Sequence, residues 1–134
     1  MTLESNKELV LRWLKMGKQG FVGNFHEYFT ADYRGHLAAQ PTQSLADLVR
    51  LDRGFAASFS DISYEVADLF AVDEKVVLRV ATRATHTAPF YGIEATGRRV
   101  TITGIVIYRF ADAKIAESWG ELDFLGLFRQ LRST

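Results

Sequence analysis

The stretch Ile-Ala-Glu-Ser-Trp-Gly-Glu-Leu-Asp-Phe-Leu-Gly-Leu-Phe-Arg-Gln-Leu, residues 115–131, joins a strand-like run to an apolar tail. Strict alternation places Ile115, Glu117, Trp119, Glu121 and Asp123 on one face of the strand. Three carboxylates and an indole therefore share a side where a small domain normally carries aliphatics. Buried carboxylates are costly unless paired, so this face predicts a polar-lined cavity. The opposite face, Ala116, Ser118, Gly120 and Leu122, is small and flat. It suits a second sheet or another subunit lying against it.

Working back from that strand, the second half reads as β-structure. Val100 to Phe110 and Lys114 to Asp123 are strands joined by a tight Asp112-Ala113 turn. Ile62 to Val72 and Lys75 to Thr87 alternate on either side of Asp73-Glu74, and Ala88 to Arg98, with Pro89, Gly92 and Gly97, reads as a loop. The first half reads as helices. Ser5 and Glu8 have capping-box spacing ahead of Leu9, Val10, Trp13 and Leu14, and Gly17, Gly20 and Gly23 end that helix. A short amphipathic piece spans Phe25 to Phe29, and Thr30 to Gln43 reads as a loop. Ser44 with Asp47 opens a third helix whose buried face is Leu45, Leu48, Val49, Phe55, Ala56 and Phe59. Helices followed by a four-stranded antiparallel meander predict an α+β fold with helices on one face of a curved sheet.

A chain of 134 residues fits a single domain, 1–134. Lys plus Arg and Asp plus Glu stand at 16 each, which argues against nucleic acid or an anionic membrane as the main partner. There is no cysteine, hence no disulfide framework and no thiolate site. The first residues are polar rather than signal-like, and no run approaches the roughly 18 apolar residues of a membrane span. A cytoplasmic protein is expected. No GxGxxG, P-loop, HExxH or GxSxG occurs, and the scattered histidines lack metal-ligand spacing, so neither metal nor cofactor is expected.

Several motifs, in order, carry a resemblance. They are Tyr33-Arg-Gly-His36, Phe59-Ser-Asp61, and Thr85-His86-Thr87 leading to Phe90-Tyr-Gly-Ile and Thr96-Gly97-Arg98. Ile115-Ala-Glu117-Ser-Trp119 follows, with Asp123 and Gln130-Leu131. Over about residues 5 to 131 the chain resembles the SnoaL-like polyketide cyclase family of the NTF2-like (cystatin-like) superfamily. The resemblance implies a cone of N-terminal helices packed on a curved, mainly antiparallel sheet that encloses a pocket. It also implies cofactor-free intramolecular aldol closure of a polyketide-like substrate, with Asp123 as general acid/base.

Arg109 stands where these cyclases carry a histidine. It can orient a carboxylate or bind an oxyanion, or form a cross-strand ion pair with Glu117. His36 is the candidate acid partner of Asp123, or a solvated loop residue. His86 reads as a structural hydrogen bond to the loop at the pocket mouth or a ligand contact, and His26 as exposed. Trp13, Tyr33, Phe59, Trp119 and Glu121 complete the expected ligand-binding set, although aromatics at such spacings usually build core. For Asp123 the plain alternative is an N-cap on the segment after it.

Alternatives to ring closure are an epoxide hydrolase-like reaction, with Arg109 held between carboxylates, and non-catalytic binding of small hydrophobic ligands. The flat face of Ala116, Ser118, Gly120 and Leu122, continued by Ile102, Gly104 and Val106, predicts a homodimer through the sheet.

Overall fold

A computed structural model describes residues 2–133. Helix α1 (Leu3–Lys18) and a 3-10 turn (Phe25–Glu27) precede strand β1 (Phe29–Leu37). Helix α2 (Leu45–Ser58) follows, then β2 (Phe59–Val72), β3 (Lys75–His86), β4 (Arg99–Ala111), β5 (Lys114–Leu122) and helix α3 (Phe124–Arg132). The strands form one five-stranded sheet in the order β1-β5-β4-β3-β2. The β2–β5 meander is antiparallel as expected. β1 adds to it in parallel, pairing Gly35 with Ser118 and Leu37 with Gly120.

That fifth strand corrects the reading of Thr30 to Gln43 as a loop. Gly35, Asp32 and Arg34 weaken its β signal, and it forms only because β5 offers a free edge. The first cap is also displaced. Thr2 caps α1 and exchanges bonds with Ser5, rather than Ser5 with Glu8. Ser44 and Asp47 do form the capping box of α2.

The buried side chains fall into two clusters. One gathers Trp13, Phe25, Phe29, Leu78, Tyr108 and Ile115 under α1. The other gathers Phe59, Ile62, Ala84, Val100, Ile102 and Leu127 under α3. Between them the covering of the inner sheet face lapses. Val100 and Ile102 at one end of β4, and Tyr108 and Phe110 at the other, are buried, while Val106 between them is only half-buried. α2 lies mainly against the edge strands β1 and β2 rather than the central strands. α2 bridges the two edges of the curved sheet, and the less closely covered strip of inner face beneath it, around Val106, is its cleft. Bulges in β2 at Ser60/Ser63 and Val66/Asp68 supply part of that curvature.

A further bulge, where β5 passes Arg109/Phe110, decides which way the opening motif faces. Ile115 pairs with Phe110 and Glu117 with Arg109, so Ala116 is the extra residue. Ile115 and Ala116 are both buried. Beyond the bulge the parity inverts, with Ser118 and Gly120 buried and Trp119 and Glu121 exposed. The carboxylate face therefore looks outward, and the small face lines the cleft. From Ala116 onward both assignments made from strict alternation are reversed, whereas Ile115 is buried as alternation has it.

Candidate active site

α2 supplies the acid that strict strand reading does not find. Its inward stripe runs Leu45, Leu48/Val49, Asp52, Phe55/Ala56, one turn per step, so Asp52 sits at the centre of an apolar face. Burial pushes its carboxyl up from the usual range to about 8. The sealed polar side-chain atoms without a partner, among the described residues, are Thr30 Oγ1 and His86 Nε2. Burial rather than any hydrogen bond or ion pair raises the Asp52 carboxyl, which is not among the sealed atoms.

Three phenols converge on it. Ser118 on β5 lies between Gly35 of β1 and Tyr108 of β4 in register. Tyr33 folds over Gly35 to put its hydroxyl 2.6 Å from Ser118 Oγ. A Cβ at Gly35 would fall 2.5 Å from that hydroxyl, so glycine is needed there. Tyr64 enters from β2 with its hydroxyl against Gly17 of α1. Burial pushes Tyr33 up to about 12, and the Asp52 charge adds to this. Burial also raises Tyr64 and Tyr108, with the nearby Asp52 charge again contributing. The phenols are neutral donors throughout the physiological range. The buried polar residues among those described are Asn6, Ser58, His86 and Ser118, so no buried lysine or arginine joins this group.

The residues expected from sequence are distributed differently. Asp123 is exposed and accepts a 2.8 Å bond from the Gly126 N–H as the N-cap of α3. With Glu121 it borders a groove of about 740 Å³ on the outer sheet face, beside Glu65, Arg79 and Arg83. The bulge carries both carboxylates outward. Replacing Asp123 by alanine should cost about 1 kcal/mol of stability, the worth of an N-cap, measured by thermal or urea unfolding.

His36 and Arg109 meet on one carboxylate, also outward. His36 Nε2 lies 2.7 Å from Glu117 Oε2, and Arg109 Nε donates to Glu117 Oε1 at 3.1 Å. These bonds, that to His36 first, hold the Glu117 carboxyl below the usual range. Trp119 stacks on His36 at 5.6 Å and carries Lys75 over its ring. This cluster lies six residues from Asp123, about 20 Å along an extended strand, so His36 and Arg109 do not assemble with it.

Trp13 is core, packed against Phe21, Phe25, Tyr28 and Phe29. Phe59 is core as well, stacked between Phe55 and His86. His86 is fully buried, and its Nδ1 accepts from the Thr96 N–H at 3.1 Å, the structural bond to the mouth loop. His26 is exposed. Of the expected set, Tyr33 belongs to the Asp52 cluster, and Trp13 reaches it through a side-chain hydrogen bond to the Tyr108 hydroxyl. Asp52 itself was legible as a lone carboxylate interrupting an apolar helical stripe. Among the described residues, no helix is long and apolar enough to cross a membrane. Nor does any group of three or more His, Asp or Glu side chains there have metal-holding geometry.

A family model described as SnoaL-like polyketide cyclase matches residues 7–131. The chain belongs to that family. AclR from Streptomyces galilaeus, a candidate hydroxylase, is similar at 27% identity and a TM-score of 0.89, with 97% of each chain covered. TsrD from Streptomyces laurentii is 27% identical with a TM-score of 0.86, covering 100% of this chain and 99% of its own. IdmH from Streptomyces antibioticus, a candidate polyketide cyclase, shares the fold at 23% identity and a TM-score of 0.82, covering 96% of this chain and 99% of its own. A search of curated proteins found no match. The SnoaL-like assignment and these folds agree with helices on a curved, unclosed, mixed sheet, and the cleft under α2 is where this chain places its inward polar groups.

Proposed function

We propose that this SnoaL-like protein closes a ring in a polyketide-like substrate by intramolecular aldol addition, without a cofactor, and that Asp52 moves the proton. The observation that carries this reading is the Asp52 carboxyl, largely buried on the apolar face of α2 without a hydrogen-bond partner, with its pKa pushed up to about 8. Asp52 replaces Asp123 in the role that family resemblance suggests, because Asp123 is exposed and committed to its cap.

In the first step the Asp52 carboxylate removes a proton from a carbon flanked by carbonyls, leaving an enolate. That carbon then bonds to a second carbonyl carbon of the same molecule. The resulting alkoxide takes the proton back from Asp52, which restores the carboxylate. An acid with a pKa near the working pH serves both transfers. The apolar walls from Leu48, Val49 and Val106 hold the folded chain and limit water. Epoxide opening loses its support, since Arg109 is bound to Glu117 on the outer face instead of lying between carboxylates in the cleft.

The test is deuterium exchange at the acidic carbon of ethyl 2-methylacetoacetate, followed by NMR. Asp52 must be ionised to act as the base. Catalysed exchange should therefore rise about tenfold per pH unit and level off near pH 8. A flat profile, or no catalysed exchange, removes the proposal.

We also propose that the protein pairs with a second copy through the outer sheet face. Of the face suggested by sequence, Ala116, Ser118, Gly120 and Ile102 are already buried, and Leu122, Gly104 and Val106 half-buried. Outside, Trp119 (37% exposed), Ile105 (46%) and Phe70 (49%) share the sheet with charges of both signs, a composition that can face itself. Light scattering at micromolar concentration should give twice the chain mass, and Trp119→Ala should return it to the monomer.

A further inference from the structure

A ring closure through an enolate needs somewhere to put negative charge on oxygen, and among the described residues no cation acts on Asp52, whose carboxyl is raised by burial alone. The buried polar residues among those described include no lysine or arginine. The outer-face arginines are occupied elsewhere: Arg79 with Asp68, Arg83 with Glu65, Arg99 with Asp61 and Arg109 with Glu117. What the inner face does offer is phenol. Tyr33 and Tyr108 flank Ser118 on adjacent strands, and Tyr64 closes from the far edge.

We propose that the hydroxyls of Tyr33, Tyr64 and Tyr108 form a cation-free site for an enolate or phenolate oxygen, with Ser118 as the positioning residue for Tyr33. The inference rests on the cleft being the substrate site, and it names the chemical class the site takes. In the 2.6 Å contact either oxygen can donate. With Ser118 donating to the Tyr33 oxygen, the Tyr33 proton is left free for the ligand and is made more acidic. That direction agrees with the lowering effect of Ser118 on Tyr33, which opposes the larger effect of burial. Neutral donors in a poorly solvated cleft stabilise developing oxyanion charge without needing to reorganise.

Charge balance links this site to Asp52. When Asp52 has taken the substrate proton, the cleft holds one enolate and one neutral carboxyl. A bound phenolate beside protonated Asp52 carries the same charges, so a phenol that ionises near neutrality imitates the intermediate. Above about pH 8, Asp52 ionises and repels it.

The probe is 4-nitrophenol, whose neutral and ionised forms absorb at different wavelengths. At pH 6 the bound probe should show the ionised spectrum, and affinity should fall as pH passes 8. Tyr33→Phe, Tyr64→Phe and Tyr108→Phe should each weaken binding of the ionised form by about tenfold. Ser118→Ala should shift the bound spectrum toward the neutral form, and Ser118→Thr should restore it. This spectral readout does not respond to a merely structural loss, and the serine variants serve should a tyrosine variant fail to fold. Asp52→Asn should keep the ionised probe bound and remove the fall above pH 8. No binding, binding of the neutral form alone, or indifference to all three tyrosine changes overturns the site. Loss of deuterium exchange with phenolate binding intact would instead fault the ring-closure reading and leave the oxyanion site standing.

Discussion

Asp52→Asn should cut catalysed deuterium exchange by about 10²–10⁴-fold, while making the folded protein more stable at alkaline pH. The two effects come from the same burial. General acid/base groups contribute roughly 10²–10⁴ in rate, and asparagine keeps the shape of the side chain without its transferable proton. For stability the sign follows from the shift. Burial pushes the carboxyl up to about 8 in the fold from the usual aspartate range, so the folded protein holds this proton more tightly than the unfolded chain does. The group opposes folding least below about pH 4, and stability is lost as pH rises from there to about 8. At pH 8 to 9 the asparagine variant should unfold later than the wild type by about 2–5 kcal/mol, and near pH 4 the two should converge. Thermal unfolding across that range, run beside the exchange assay, reads both halves. Unchanged exchange would remove Asp52 from the chemistry, and a gap in stability independent of pH would show that its carboxyl is well solvated.

Such a trade between stability and activity is the expected mark of a functional group placed where packing alone would put an aliphatic. It also shows which parts of this molecule the sequence displays. The antiparallel meander was legible because Lys75 to Thr87 and Val100 to Phe110 alternate with period two, and the Ser44–Asp47 box fixed the start of α2. β1 was not, because Phe29 to Leu37 carries Asp32, Arg34 and Gly35 and depends on a partner more than eighty residues away. The orientation of β5 was hidden by one residue. Alternation assumes an unbroken pleat, and the bulge at Ala116 turns the rest of the strand over. Unbroken alternation turns Asp123, Glu121, Trp119 and Glu117 inward, whereas in the fold they face out. The N-cap alternative for Asp123 could be weighed from local sequence, as could the Arg109–Glu117 cross-strand pair, and both occur. The Asp52 cluster needs four separate elements to come together, β1, α2, β2 and β4. Only the break in the α2 stripe signals it in one dimension.

Gly17→Ala should destabilise the fold and disturb the cleft at once, although alanine is ordinarily the better helix former. In an exposed helix interior the change would be worth about 1 kcal/mol in alanine's favour. Here the inner side of α1 is in contact with the sheet. A methyl group at position 17 would collide with the Tyr64 hydroxyl, and it would lie 2.9 Å from the nearest Phe21 ring atom. Overpacking of this kind costs about 1–3 kcal/mol, so a net loss of stability is expected. Tyr64 has to tilt away, and its hydroxyl leaves the group around Asp52. Affinity for the ionised phenol should fall with it. Adding Tyr64→Phe removes one of the two collisions, so the double variant should recover part of the lost stability but none of the binding. A double-mutant cycle by urea unfolding isolates that coupling, because the two side chains touch. If Gly17→Ala alone proves more stable than the wild type, the Tyr64 hydroxyl does not sit against α1. The far wall of the oxyanion site would then have to be redrawn around Tyr33 and Tyr108.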